Sequence, residues 1–134
     1  MKKAVHVSGK RKTAVARATA APGKGNVTIN KVPIEMTYPD LSKDRMLEPI
    51  QLAGSHAKKV DVSVNVFGGG IASQSDAARL AIAKALVAYT KSEQLEETFL
   101  EYDRQLLVAD VRRKEVHKPN RHGKARAKIQ KSYR

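Results

Sequence analysis

The sequence predicts a two-layer α/β (α+β) sandwich, one mixed sheet against helices, ending in an extended basic tail. Three observations predict it. Residues 60–66 read Val-Asp-Val-Ser-Val-Asn-Val, four valines alternating with polar residues, as in a strand with one buried face. Residues from about Gln74 to Thr90 carry Leu80, Ala81, Ala85 and Ala88 at helical spacing, with Ile82, Leu86 and Tyr89 beside them. Neither periodicity continues beyond residue 111, where the composition turns strongly cationic.

Taken in order, Val5 and Val7 around His6 suggest a first strand before Gly9. Thr13 to Ala21 reads as a second, with Thr13, Val15, Arg17 and Thr19 on one face and only alanines on the other. Gly23-Lys24-Gly25-Asn26 marks a turn, and Val27-Thr28-Ile29 a short strand. Pro33, Pro39 and Pro49 predict that any helix over 33–53 is short. Ser73 and Asp76, three residues apart, suggest a capping pair for the long helix. A weaker helix is expected around Glu93–Tyr102, and Leu106-Leu107-Val108 as a last strand or an anchor.

Of 134 residues, 26 are Lys or Arg and 13 are Asp or Glu, a net charge of +13. That excess is not evenly spread. Residues 1–24 hold seven cations and no acid, residues 25–111 nine cations and twelve acids, and residues 112–134 ten cations and one acid. Of 28 Val, Ile and Leu residues, 23 lie between 25 and 111. The division expected is a globular domain over 1–111 and a tail over 112–134. A folded surface normally intersperses its charges, so the excess at both ends asks for an anionic partner, nucleic acid first.

The composition also excludes. There is no Cys, hence no disulfide framework or thiolate metal site. No run of 18 apolar residues occurs, and Ser8-Gly9-Lys10-Arg11-Lys12 stands where a signal peptide would need its apolar region. A soluble intracellular protein without a membrane partner is expected. With 18 alanines, two Phe and no Trp, the core should be small and aliphatic, leaving little room for a small-molecule substrate.

The tail contains Pro119 and Gly123 and only Val116 and Ile129 as large aliphatics, so a free segment of this kind should be disordered. Fully extended, it would reach roughly 75 Å at about 3.3 Å per residue. Lys and Arg here suit phosphate neutralisation with counterion release, and Tyr133 suits base stacking. The alternative is a solvated end, which ten cations against one acid disfavour. Gly9-Lys10-Arg11-Lys12, at a turn between two strands, could enter an RNA groove or could protect a sheet edge. Arg17 extends the patch if its face is wet.

Gly68-Gly69-Gly70 before the long helix resembles an anion-binding turn, but neither a P-loop nor a dinucleotide fingerprint is completed. Two readings stand: a flexible strand-to-helix corner, and a corner that lets RNA backbone come close. His6, His56, His117 and His122 are scattered, and no carboxylate or Cys completes a metal site. No nucleophile elbow occurs. No catalytic residue, metal or cofactor is expected, and the protein reads as no enzyme.

Three stretches resemble one family. Residues 9–17, Gly-Lys-Arg-Lys-Thr-Ala-Val-Ala-Arg, are similar to the amino-terminal signature of the S9-type family, the ninth protein of the small ribosomal subunit. Residues 68–79, from Gly68-Gly69-Gly70 through Gln74 to Arg79, resemble its central glycine–glutamine motif. Asp110 to Glu115, Gly123-Lys124-Ala125-Arg126 and the closing Gln130 to Arg134 resemble its carboxyl tail, the ending being similar to the archaeal and eukaryotic branch. The resemblance implies a left-handed β-α-β crossover, against the usual right-handed rule, and docking on the head of the small subunit beside neighbouring ribosomal proteins. It also implies a tail threading through ribosomal RNA to the tRNA in the peptidyl site. Bacterial members carry Lys where this chain has Tyr133, which replaces a phosphate-pairing cation with a stacking ring.

The expectation is therefore a structural, RNA-binding constituent of the cytoplasmic ribosome. Small-subunit ribosomal RNA would be held by Lys10, Arg11, Lys12, Arg17, Gly68, Gly69 and Gly70, and by the tail residues Arg112, Arg113, Lys114, Lys118, Arg121, Lys124, Arg126 and Lys128. Peptidyl-site tRNA would meet Lys131, Ser132, Tyr133 and Arg134. The rival readings are a basic architectural DNA-binding protein, for which no dimer seam or helix-turn-helix is evident, and a nucleotide-using enzyme built on the glycine corner.

Overall fold

The structure, a computed structural model, describes residues 3–37 and 39–126. Strands β1 (Val5–Arg11) and β2 (Ala14–Pro22) form a hairpin, followed by the short strands β3 (Val27–Ile29) and β4 (Val32–Pro33). Helix α1 (Asp40–Ala53) leads to β5 (Val60–Phe67), and helices α2 (Ile71–Thr90) and α3 (Glu93–Tyr102) follow. The sheet order is β1-β2-β5-β3-β4. It is antiparallel except for β3 beside β5, so α1 lies in a β-α-β crossover within a mixed sheet.

One face of this sheet is covered and the other is wet. Ala14, Ala16, Ala18 and Ala20 of β2 are sealed, as are Val60, Val62 and Val64 of β5, and the register places them side by side. Alanines let α2 come close, and α2 answers with its own buried Ala77, Ala78, Ala81 and Ala85. At β1 the contact is closer still. A Cβ on Gly9 would stand 2.6 Å from the Ala77 carbonyl oxygen and 2.9 Å from the Ala81 nitrogen, both backbone of α2. Close approach of helix and strand at this point thus requires glycine. Phe99 of α3, Met46 of α1 and Leu106 close the core.

Four expectations need correction. The three prolines do not shorten α1, which runs 14 residues. Pro39 caps its start, and Pro49, inside the helix, is fully buried, so packing offsets the lost backbone hydrogen bond. Helix α2 begins at Ile71, not near Gln74, and its N-cap is Gly70, with no side-chain capping bond. Ser73 and Asp76 lie inside it, so they are no capping pair. Residues Gly9 to Arg11 belong to β1, and the turn itself is only Lys12–Thr13, with Lys12 at φ 53°. Of the two readings of Leu106-Leu107-Val108, a last strand or an anchor, the anchor is observed: Leu106 ends a 3-10 turn over Arg104–Leu106 and is fully buried. Helix α3 and strand β3 lie where the sequence placed them.

Candidate nucleic-acid interface

The β1–β2 hairpin tip is where the distant basic and glycine segments meet. Strand β5 ends beside it. A Cβ on Gly68 would stand 2.7 Å from the Thr13 carbonyl oxygen, and one on Gly69 would stand 3.1 Å from Ala14. Both glycines have positive φ, 77° and 63°, so they are demanded by the turn itself. Gly70 differs: its φ is −103°, and nothing lies within 4 Å of where a side chain would start. Gln74 steadies the corner by donating from Nε2 to the Gly68 carbonyl at 3.0 Å. The open N-terminus of α2, with Ile71 63% exposed, faces outward beyond it.

Residues 112–114 lie at the same tip. Arg11, Lys12 and Thr13 line one wall of an open cleft of about 560 Å³, and Arg112, Arg113 and Lys114 line the other. Five cations converge there from opposite ends of the chain. They are not equivalent. Lys12, Arg112, Arg113 and Lys114 are exposed, whereas the Arg11 side chain retains only 17% of its accessibility. Strand register explains this. Arg11 pairs with Ala14 and lies on the covered side with Gly9, while Lys10, opposite Val15, lies on the wet side with Arg17.

Arg11 meets carboxylates instead of solvent. Its Nη1 is 2.8 Å from Asp110 Oδ2, and its Nε 3.8 Å from Asp76 Oδ2. The first contact lacks hydrogen-bond alignment, so it is charge pairing. Asp76 also pairs with Arg45 of α1, and Arg79 of α2 bridges Glu48 and Asp103. These pairs line a second crevice of about 470 Å³ that also takes in Lys10 and Arg112. Its cations are largely neutralised internally. Sequence reasoning treated Asp76 as a cap and missed this network, because its members come from four separate elements.

Asp110 pairs with both Arg11 of β1 and Arg112 two residues beyond it. It accepts the Arg112 backbone N–H at 2.9 Å through Oδ1 and the Arg112 Nε and Nη2 at 2.9 and 2.7 Å through Oδ2. The Arg112 guanidinium, then its backbone N–H, hold the Asp110 carboxyl well below the ordinary carboxylate range, helped by the charge of Arg11. Within the tail, Glu115 accepts Lys118 at 2.8 Å and Arg126 at 2.9 Å, and these two cations lower its pKa, Lys118 more strongly. Lys118 N donates to the Lys124 carbonyl at 3.1 Å, so residues 118–126 double back on themselves. Arg121 and Lys124 are exposed. Lys128, Lys131, Ser132, Tyr133 and Arg134 lie outside the described residues.

The wet sheet face carries Arg17, its guanidinium 5.4 Å from the Phe67 ring centroid, and Phe67 is 49% exposed. An exposed cation on an aromatic ring is compatible with phosphate contact and base stacking together. Among the described residues, no group of three His, Asp or Glu could hold a metal, and no helix is long and apolar enough to cross a membrane.

Known proteins are similar to this chain over nearly its whole length. The profile of the family described as ribosomal protein S9/S16 matches residues 9–134. Small ribosomal subunit protein uS9 of the archaeon Methanococcus maripaludis strain C7 is 53% identical over 133 residues, covering 98% of this chain and 99% of that protein. The protein of the same name from Methanococcus vannielii is 52% identical over the same span. With the hairpin signature, the glycine corner and the basic tail all inside the matched region, the chain belongs to the ribosomal protein S9/S16 family, on its archaeal-like branch.

Proposed function

We propose that this chain, a structural and non-enzymatic constituent of the small subunit of the cytoplasmic ribosome, grips ribosomal RNA with the hairpin-tip end of its body and extends its tail to tRNA in the peptidyl site. The observation that carries the reading is the convergence of Lys12, the Gly68–Gly70 corner and Arg112–Lys114 at one end of the fold. Phosphates would enter the cleft between Lys12 and Lys114, and a further phosphate would meet the uncapped N-terminus of α2 over Gly70. Lys10 and Arg17 would bind along the wet sheet face. Arg121 and Lys124 would follow RNA away from the body, with Lys118 and Arg126 exchanging Glu115 for phosphate. The internally paired Arg11 would shape the site more than bind.

Lys128 belongs to the same RNA-binding reading, and Lys131, Ser132, Tyr133 and Arg134 to the tRNA contact, through charge pairing and ring stacking. The body's remaining surface would meet neighbouring ribosomal proteins of the subunit head. Subunits reconstituted with a chain cut after Ile129 test the tail. They should assemble normally and lose tRNA from the peptidyl site faster than intact subunits. Equal tRNA retention would remove the tail's role while leaving RNA binding by the body untouched.

A further inference from the structure

We propose that Arg11 and Asp110 are a positioning pair, fixing the point and direction at which the basic tail leaves the body so that its first cations face those of the hairpin. The inference rests on the RNA-binding reading above. Its starting point is an anomaly of charge. Asp110 is an acid at the most cationic end of the molecule, and by Coulomb's law alone it weakens binding to a polyanion. Its environment shows another use. The carboxylate keeps only 10% of its accessibility and meets Arg11 at 2.8 Å and the Arg112 guanidinium at 2.7 Å. Arg112 itself stays 75% exposed, so its outer edge remains free for a second anion.

The pair works with a second anchor just before it. Leu106 is fully buried, and the backbone N–H groups of Leu107 and Val108 both bond to the Arg104 carbonyl. The chain is thereby held from the end of α3 to Asp110. Beyond that point Arg113 donates from Nη1 to the carbonyls of Asp110 and Arg112, each at 3.0 Å. One wall of the cationic cleft is therefore built on Asp110, and the other on the hairpin that carries Arg11. Holding both walls before RNA arrives spares the complex the loss of chain freedom on binding. Without the pair, Arg112, Arg113 and Lys114 would bind as a free polycation.

The two accounts predict opposite signs for Asp110→Asn. Simple charge counting predicts tighter RNA binding, since a negative charge is removed. Positioning predicts weaker binding, by about 3- to 10-fold from lost preorganisation. The full-length protein, its D110N, D110E and K114A variants, and purified small-subunit ribosomal RNA are sufficient. Affinity is measured against salt, and heteronuclear NOE values are recorded for residues 111–114 of the free protein. D110N should bind more weakly, with NOE values falling only at the tail's start, and D110E should recover most of both. K114A should lower the salt slope by about one phosphate contact with unchanged NOE values.

D110N binding as tightly as the parent or tighter, while K114A binds more weakly, would overturn the positioning role and leave the RNA reading standing. Absence of salt-dependent RNA binding by the parent protein would overturn both. Should D110N also lower the melting temperature, D110E decides: recovery of affinity supports the pair, and failure to recover overturns it.

Discussion

Gly9 is the first residue matched by the S9/S16 family profile, yet its position points to packing and away from RNA. Gly9→Ala is therefore expected to unfold the body more easily while leaving every exposed cation in place. The added Cβ would lie 2.6 Å from the Ala77 carbonyl oxygen and 2.9 Å from the Ala81 nitrogen. Neither is the end of a side chain that could swing away. Either β1 or α2 must move by several tenths of an ångström. Helix α2 is seated on Ala14, Ala16, Ala18 and Ala20, each no more than 1% exposed, so lifting it opens contacts along β2 as well. Overpacking of this kind costs about 1–3 kcal/mol. The smaller unfolded-state entropy of Ala returns about 0.4–1 kcal/mol. The net loss is about 1–2 kcal/mol, which for a body of this size lowers the melting temperature by roughly 5–15 °C. Thermal unfolding followed by far-ultraviolet circular dichroism, with urea titration, measures it. A melting temperature equal to or above that of the parent would refute the packing argument.

Three further outcomes are expected. Gly70→Ala should change stability by no more than about 0.5 kcal/mol, since space is open and φ is permitted, yet it should weaken RNA binding; unaltered RNA affinity would dismiss the open corner as a contact. Leu106→Ala should cost about 2–5 kcal/mol as a fully buried truncation, read by chemical denaturation, and a loss below 1 kcal/mol would show the post-α3 turn to be no anchor. Asp61 accepts the backbone N–H groups of Lys24, Gly25 and Asn26 at 2.8–3.0 Å, and these bonds, that of Asn26 foremost, lower its pKa. A depressed carboxylate stabilises the fold above its unfolded value near 4 and loses that contribution as pH falls through the lower folded value. Asp61→Asn should accordingly be less stable at pH 7, by about 1 kcal/mol, with the gap to the parent narrowing at pH 2; a gap that persists undiminished at pH 2 would count against this account.

Local pattern carried much of this protein. The Val60–Val66 alternation, the all-alanine face of β2 and the extent of α3 are legible because strand and helix periods follow from backbone geometry. The uneven placement of Lys and Arg is likewise legible, since it depends on residue type alone. Other features were beyond a linear reading. Pro49 breaks the local rule for a helix, and only its burial in the core explains why α1 continues. Gly9, Gly68 and Gly70 look alike in sequence. Tertiary structure separates a helix contact, a left-handed turn and an open N-cap.

Composition and periodicity thus determined the class of fold and the two cationic ends, since these depend on residue type and near-neighbour spacing alone. Which cations remain available was decided by the folded chain. Arg11 and Lys12 are adjacent in sequence, but the strand's alternation turns Arg11 to the helix side, where Asp110 from the far end of the chain neutralises it, while Lys12 stays in water at the turn. Coulomb pairing acts at a few ångströms, and only chain folding brings residues so distant in sequence within that range.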